Sequence, residues 1–438
     1  MDNSIRSLNN FIDKGSITSQ QILVVALCFI FNMLDGFDIT AMAVVASSVS
    51  LDLNLTDDLL GWIFSFALAG MMVGAMVLAP VADIIGRRAL IILSLILVGL
   101  SIFLTAKANN LSLFIMLRFI SGVGAGALLA CQASLAAEYS PEKYRAMSVA
   151  LVTAGYPTGA MMTSVVADYI LPDYGWRAMF LFGGTITLGM VIVACLMIPE
   201  SLKYLLEKRP TNALEKINRI LQKLKHPPIE HLPELIKSDE NKTTLLSNMK
   251  MLLSPKYRTL SLTLWTAFFC AFGTLYFLMS WIPKLMENAG YDISAGRDAF
   301  LYFNLGGVIG IYLLGFLSIK LKLTNLIFNL SIASAISMIA FAYAPNELNT
   351  LLVLLVVIGI LQQSAFTGLY GVAAKAYPTE IRSTGVGWAI GLGRTGAVVG
   401  PALAGYLILA GYDMSANFIF FSIPMIICGF IAYRLHID

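Results

Sequence analysis

The sequence predicts an all-α polytopic membrane protein with twelve transmembrane helices in two pseudo-symmetric six-helix halves. Three observations carry that prediction. Of 438 residues, 58% are apolar and 13% are charged, against about 25% charged in an ordinary soluble domain. The mean hydropathy is +0.78, more apolar surface than a soluble fold of this length can hide. Apolar runs long enough to cross a bilayer, roughly 20 residues each, recur along the chain, and one polar stretch divides them evenly.

The first six spans fall near residues 21–46, 59–81, 89–107, 111–137, 146–170 and 177–198. The second six fall near 259–286, 299–319, 324–344, 349–376, 384–410 and 414–434. The expected organisation is a first half over 1–199, a cytoplasmic central loop over 200–258 and a second half over 259–438. Residues 1–20 are polar, and the run that follows is too long for the apolar core of a cleavable leader. An even number of spans places both termini on one side. With that side inward, the inner segments hold Arg6, Lys14, Arg87, Arg88, Lys143, Arg145, Lys320, Lys322, Lys375, Arg382 and Arg434, and the central loop adds twelve more cations. The outer segments keep Lys107, Arg177, Lys284 and Arg297. Short cytoplasmic loops are the ones enriched in Lys and Arg, so cytoplasmic termini are expected. The net charge of +3 adds nothing about partners.

In the central loop, Leu214, Ile217, Leu221 and Leu224 fall at helical spacing among Lys216, Arg219, Lys223 and Lys225. Two readings fit: a basic amphipathic helix lying on the inner membrane surface, or a solvated linker helix. The halves themselves read as a repeat. A shift of 237 residues superimposes Ala136, Ala137, Pro141, Arg145, Thr158, Gly159, Ala160 and Tyr169 on Ala373, Ala374, Pro378, Arg382, Thr395, Gly396, Ala397 and Tyr406. The matches fall on spans 4–5 and 10–11, so the halves share one orientation, a known transporter arrangement.

Charges inside the spans point to function. Asp35 and Asp38 lie three residues apart on one face of span 1, and a carboxylate at mid-helix costs roughly 2.5–3.5 kcal/mol on insertion scales. Such groups are expected to bind a cation or a proton. Arg394 lies near the middle of span 11, too deep to snorkel easily. Arg118 in span 4 admits two readings, a snorkelling cation near a helix end or an inward-facing one. Two acids and two bases balance, so they are expected to converge between the halves. Arg suits a carboxylate ligand because its planar fork can hold both oxygens. Glycines at 122, 124 and 126 leave room for a neighbouring backbone to approach span 4.

Other chemistries have little to work with. The five cysteines sit in apolar runs without metal-ligand spacing, and His226, His231 and His436 lie outside the spans. A proton relay within the membrane is therefore left to carboxylates. No nucleophile–base pair marks an enzyme, and no cofactor, metal or nucleic-acid partner is expected.

Motifs then narrow the family. Between spans 2 and 3, Asp83, Gly86, Arg87 and Arg88 resemble the loop signature of the major facilitator superfamily, with Ala79 in place of its leading glycine and Ile84 in place of a usual arginine. Arg118, Gly122, Gly124 and Gly126 are similar to its fourth-helix motif. The loop resemblance implies that Asp83 and Arg87, with Gly86 at the turn, latch the cytoplasmic side in one gating state. A carboxylate there can also cap a neighbouring helix N-terminus. After span 8 the chain runs Ile319, Lys320, Leu321 and Lys322, without an acid, so the latch is expected on one half only.

Asp35, Gly36, Phe37 and Asp38 resemble the Asp-Gly-x-Asp signature of the aromatic acid–proton symporters, a narrower family. Tyr276, Trp281 and Pro283 in span 7, and Tyr377, Glu380 and Arg382 after span 10, are similar to it too. The resemblance covers essentially the whole chain. It implies a symporter, expected to be monomeric, that takes a small aromatic carboxylate and protons as its partners. An importer of nicotinate or of a non-aromatic acid such as muconate would share the charges. A drug–proton antiporter fits the two buried arginines less well, and a membrane sensor would need a signalling domain for which the central loop leaves no room. Asp35 and Asp38 would couple the proton, Asp38 being preferred, with Arg118 tuning them and Arg394 holding the carboxylate. Gating would involve Asp83, Gly86, Arg87, Arg145, Glu380 and Arg382. Candidate ring contacts are Tyr276, Phe277, Trp281, Tyr302, Phe366, Tyr370 and Trp388, with Gln362 and Gln363 facing ring substituents or neighbouring helices.

Overall fold

The computed structural model describes residues 17–232, 251–377 and 381–435. These residues form helices and connecting turns, with no strand among them. The first half runs α1 (Ser19–Leu53), α2 (Asp57–Ile85), α3 (Arg87–Thr105) and α4 (Leu111–Glu138). A 56-residue helical stretch, Glu142–Met197, follows. It is broken at Gly175, whose φ of 70° and ψ of 179° no helix accommodates, so it supplies two spans, α5 (142–174) and α6 (176–197). The second half runs α7 (Arg258–Asn288), α8 (Ile293–Leu317), α9 (Leu323–Ala342), α10 (Leu348–Ala376), α11 (Arg382–Leu409) and α12 (Met414–Arg434). Twelve spans result, as the hydropathy pattern predicts. Several helices outrun their apolar runs because polar ends continue the backbone ladder. Helix α1 starts in a capping box, Thr18 Oγ1 accepting from the Gln21 amide and Gln21 Oε1 from the Thr18 amide.

The two halves pack by one scheme. Helix α1 lies on α5, α2 on α4, and α3 on α4 and α6; in the same way α7 lies on α11, α8 on α10, and α9 on α10 and α12. The 237-residue repeat has a physical cause here. A Cβ on Gly159 would stand 1.9 Å from the Met33 carbonyl oxygen, and one on Gly396 would stand 2.0 Å from that of Phe269. Both glycines allow the same helix-on-helix backbone approach, once in each half. Gly122 and Gly126 do likewise for α4 against α2.

Two short helices, Leu202–Lys208 and Ala213–Lys223, follow α6. Ile217, Ile220, Leu221 and Leu224 are buried in a cluster with Leu202, Leu205, Leu206 and Ile198. The amphipathic helix therefore spends its apolar face on the first half of the protein itself and presents Lys216, Arg219 and Lys223 outward.

The halves meet tightly on the face away from the termini. There Arg297 of α8 pairs with Asp168 of α5 at 2.6 Å, and Ser47 of α1 donates to Glu287 of α7. Trp62 of α2 donates to the Tyr406 hydroxyl of α11 at 3.0 Å, and Ser65 to the Val398 carbonyl at 2.6 Å. One apolar core, including Phe37, Phe64, Trp281 and Phe300, spans both halves on this side. Toward the termini the first half keeps a separate core around Leu90, Leu128 and Leu202. The structure is thus closed on the far face.

Candidate functional site

The four buried charges lie where the halves face each other. Burial of Asp35, Asp38 and Arg118 is nearly complete at 1% exposure each, and Arg394 is 6% exposed. Residues three apart on a helix diverge by a sixth of a turn, and that small angle separates the aspartates. Asp38 turns to α4. Its Oδ1 accepts from Arg118 at 2.5 Å, and its backbone carbonyl accepts a second Arg118 nitrogen at 3.1 Å. The Arg118 guanidinium lies 5.8 Å from the Phe180 ring centroid. Of the two readings of Arg118, the inward-facing one describes this geometry.

Asp35 turns the other way. Among the described residues neither of its oxygens has a hydrogen-bond partner, yet it lies within electrostatic reach of Asp38, Arg394 and Arg118. Gly36 brings α1 against α5 at Tyr156: a Cβ there would stand 2.1 Å from the Tyr156 carbonyl oxygen. One turn toward the termini, Asn32 donates to the Val152 carbonyl at 2.6 Å and accepts from Gln132 at 2.9 Å. This amide clamp ties α1 to α5 and α4.

Arg394 enters from the other half. It forms no ion pair among the described residues, and its Nε has no hydrogen-bond partner. Its guanidinium stands 5.6 Å from the Phe272 ring centroid. Phe272 meets Phe366 edge-on at 4.8 Å and stacks on Tyr276 at 6.1 Å, while Tyr370 meets Phe366 at 5.5 Å. The hydroxyls of Tyr156, Tyr276 and Tyr370 all sense the Arg394 charge. A cation walled by rings and phenols is suited to an anion that carries a ring of its own.

Other candidates are placed elsewhere. Trp281 donates to the Pro401 carbonyl at 3.0 Å and packs edge-on against Phe64, in the far-face closure. Phe277 stacks on Phe421 of α12 at 3.9 Å, and Tyr302 is exposed on the outer surface. Both ends of Gln362 are engaged between helices, accepting from Ser334 at 3.1 Å and donating to the Ala271 carbonyl at 3.3 Å. Gln363 packs against Gly307 of α8. Trp388 is half-buried at the edge of the apolar cluster around Phe268 and Phe272. Tyr156 and Phe272 escaped the sequence reading. Phe272 sits four residues before Tyr276 and so shares its face, a signal that was available; nothing local marks Tyr156.

At the termini face, Asp83 is exposed and forms no ion pair among the described residues. Gly86 holds a φ of 99° at the start of α3, and a Cβ there would stand 2.4 Å from the Glu200 carboxylate. Arg87 pairs with Glu138 of α4. Glu200 caps α3, its Oε1 accepting from the Arg88 amide at 3.0 Å, and Ser201 donates to Glu138 at 2.6 Å. The cap predicted for Asp83 is thus formed by Glu200. Tyr139 donates to the Glu200 carbonyl at 2.7 Å. Burial, and then the Glu200 charge, pushes this phenol well above its ordinary value, so it stays a neutral donor. Arg145 and Arg382, related by the repeat, each donate at 3.2 Å to a carbonyl before their own helix, Ala137 and Tyr377. Glu380 lies outside the described residues.

The sequence profile of the Major Facilitator Superfamily matches residues 27–347 and 299–437. The chain belongs to this superfamily. Within it, the chain is 29% identical over 401 residues to the 4-hydroxybenzoate transporter PcaK of Acinetobacter baylyi, covering 91% of this chain and 87% of that protein. It is also 29% identical over 428 residues to the benzoate transport protein of the same organism, covering 96% and 91%. Among solved structures, a partially occluded inward-open form of the xylose transporter XylE from E. coli superposes with a TM-score of 0.76 at 14% identity, over 96% of this chain and 98% of that one. That likeness carries the superfamily fold alone.

Proposed function

We propose that this superfamily member is a secondary transporter that imports a small aromatic carboxylate together with protons, by alternating access. The observation that carries the reading is Arg394: a buried guanidinium with no ion-pair partner among the described residues, held over Phe272 and ringed by Tyr276, Phe366 and Tyr370. Isolated charges are costly to bury, so this one is kept for a ligand that brings the counter-charge. The names of the two relatives, a 4-hydroxybenzoate and a benzoate transporter, agree with that chemistry.

In this reading Arg394 binds the substrate carboxylate through both oxygens, and the aromatic wall takes the ring. The proton goes to Asp35 rather than to Asp38, because the Asp38 charge is already answered by Arg118, whereas a carboxylate with neither oxygen bonded is cheapest to bury in its neutral form. An anion approaching ionised Asp35 is repelled and one approaching the neutral acid is not, so proton and substrate favour each other's binding. Each pH unit of gradient then supplies about 1.36 kcal/mol per proton. The far-face closure belongs to the state facing the termini, and the excess of cations on that side makes it the cytoplasm. Asp83, Gly86 and Arg87, with Glu138 and Glu200, form the inner gate assembly, and Arg145 and Arg382 brace the neighbouring turns.

Membrane vesicles, with and without an imposed pH gradient, test the reading against radiolabelled benzoate, hydroxybenzoates, dihydroxybenzoates, nicotinate and muconate. The expected result is gradient-driven accumulation of one or more of the benzoates. Accumulation of muconate or nicotinate alone would move the substrate class, and no response to the gradient would sink the coupling. Asp35→Asn should abolish accumulation while exchange of labelled for unlabelled acid continues. Arg394→Lys should raise KM at least tenfold, since a point charge replaces a fork.

A further inference from the structure

One group at this site has no role in the scheme above: the phenol hydroxyl of Tyr156. It is buried and makes no well-formed hydrogen bond among the described residues; the group nearest to serving as its partner is the Tyr276 hydroxyl. The Tyr156 backbone is pinned by Gly36 of α1, and its side chain packs on two clusters that each join the halves, one of them holding Phe272 and Tyr276 of α7 beside Ile39 of α1 and Leu68 of α2. The hydroxyl therefore lies where the two halves meet. There it lies beside the Tyr276 hydroxyl of α7, and both phenols sense Asp35 on one side and Arg394 on the other. A buried donor without a well-formed bond costs on the order of 1–3 kcal/mol, so this hydroxyl favours whichever neighbouring acceptor offers one.

We propose that Tyr156 and Tyr276 form a hydrogen-bond relay across the two halves that transmits the protonation of Asp35 to the carboxylate site at Arg394. The inference rests on the transport reading above. With Asp35 ionised, the Tyr156 hydroxyl donates to it, and Tyr276 donates to Tyr156, so neither phenol serves the substrate. With Asp35 neutral, its own O–H donates to Tyr156, the chain of donors reverses, and the Tyr276 hydroxyl is turned toward Arg394. A carboxylate there accepts two bonds from the guanidinium and has lone pairs left for a phenol. No covalent bond changes hands and the proton stays on Asp35; only the direction of the hydrogen bonds switches. The other charges facing Asp35 do not break this logic: Asp38 and Arg118 are paired with each other, and Arg394 is the far end of the relay. Tyr370 serves as the internal comparison, since it packs against Phe366 and Phe268 on the Arg394 side of the site.

The test is equilibrium binding of radiolabelled 4-hydroxybenzoate and benzoate to the purified full chain across a pH series, beside vesicle uptake. In the wild type, Kd should rise about tenfold per pH unit once Asp35 ionises. Tyr156→Phe, which removes one oxygen, should reduce that dependence to about threefold per unit, the remainder being the direct repulsion between Asp35 and the anion, and should weaken concentrative uptake while exchange persists. Tyr276→Phe should behave alike. Tyr370→Phe should weaken binding equally at every pH and keep the slope. A Tyr156→Phe protein with the wild-type slope overturns the relay, as does one whose affinity falls by the same factor at every pH. A wild type whose affinity ignores pH overturns the coupling reading along with it, so the two failures are distinguishable.

Discussion

Asp38 and Arg118 are each worth more together than apart. Removing one partner of a buried pair strands the other charge, at a cost of about 3–5 kcal/mol, whereas Asp35 has no partner to strand. Asp38→Asn and Arg118→Gln should therefore each lower the unfolding temperature in detergent, and the double variant should lose clearly less than the sum. Additive losses would mean that the pair is not a unit. Asp35→Asn should leave that temperature unchanged or raise it. These charges were legible in the sequence because an ionised group stands out in an apolar run. Which way each side chain faces was not. Phe277 and Tyr276 are neighbours in the chain, yet one stacks on Phe421 and the other faces Arg394, because rotation about a helix axis is decided by the neighbouring helices.

At the scale of the element, the hydropathy pattern carried the spans, including the break before α6, where Pro172 and Gly175 interrupt the apolar run. The repeat was legible too, but as letters without a cause. Its cause is contact: Gly159 on the Met33 carbonyl and Gly396 on that of Phe269. Gly159→Ala forces α1 and α5 apart, and such overpacking costs typically about 1–3 kcal/mol. We expect a lower yield of folded protein and a shifted unfolding temperature for Gly159→Ala and Gly396→Ala. Gly189→Ala should be neutral, since open space surrounds that position. Equal stability of all three would detach the repeat from helix packing. The short helix Ala213–Lys223 carried a pattern that fitted membrane or linker equally. Periodicity reports that an apolar face exists, and only the fold reveals what covers it.

For the whole molecule, the halves are joined across the far face by Asp168 with Arg297 and by Ser47 with Glu287. If alternating access rocks one half against the other, both contacts must open in every cycle. A disulfide in the pair Asp168→Cys with Arg297→Cys should stop uptake under oxidant and release it under reductant. Uptake by the oxidised, cross-linked protein would argue against rocking at this seam. Such cross-half contacts could not be read from one chain, because they join residues more than a hundred positions apart without a shared motif.

The seam between α2 and α11 adds one consequence. On the closed face the backbones touch: a Cβ on Gly405 would stand 2.5 Å from the Asp57 carbonyl oxygen and 3.2 Å from the Trp281 ring. A bulky side chain at that position fits only when the seam is parted, so Gly405→Trp acts as a wedge. It should populate the outward-facing form, in which engineered cysteines near Trp281 become open to impermeant reagents. A residue whose whole contribution is the absence of a side chain thus serves as a handle on the direction in which the protein opens.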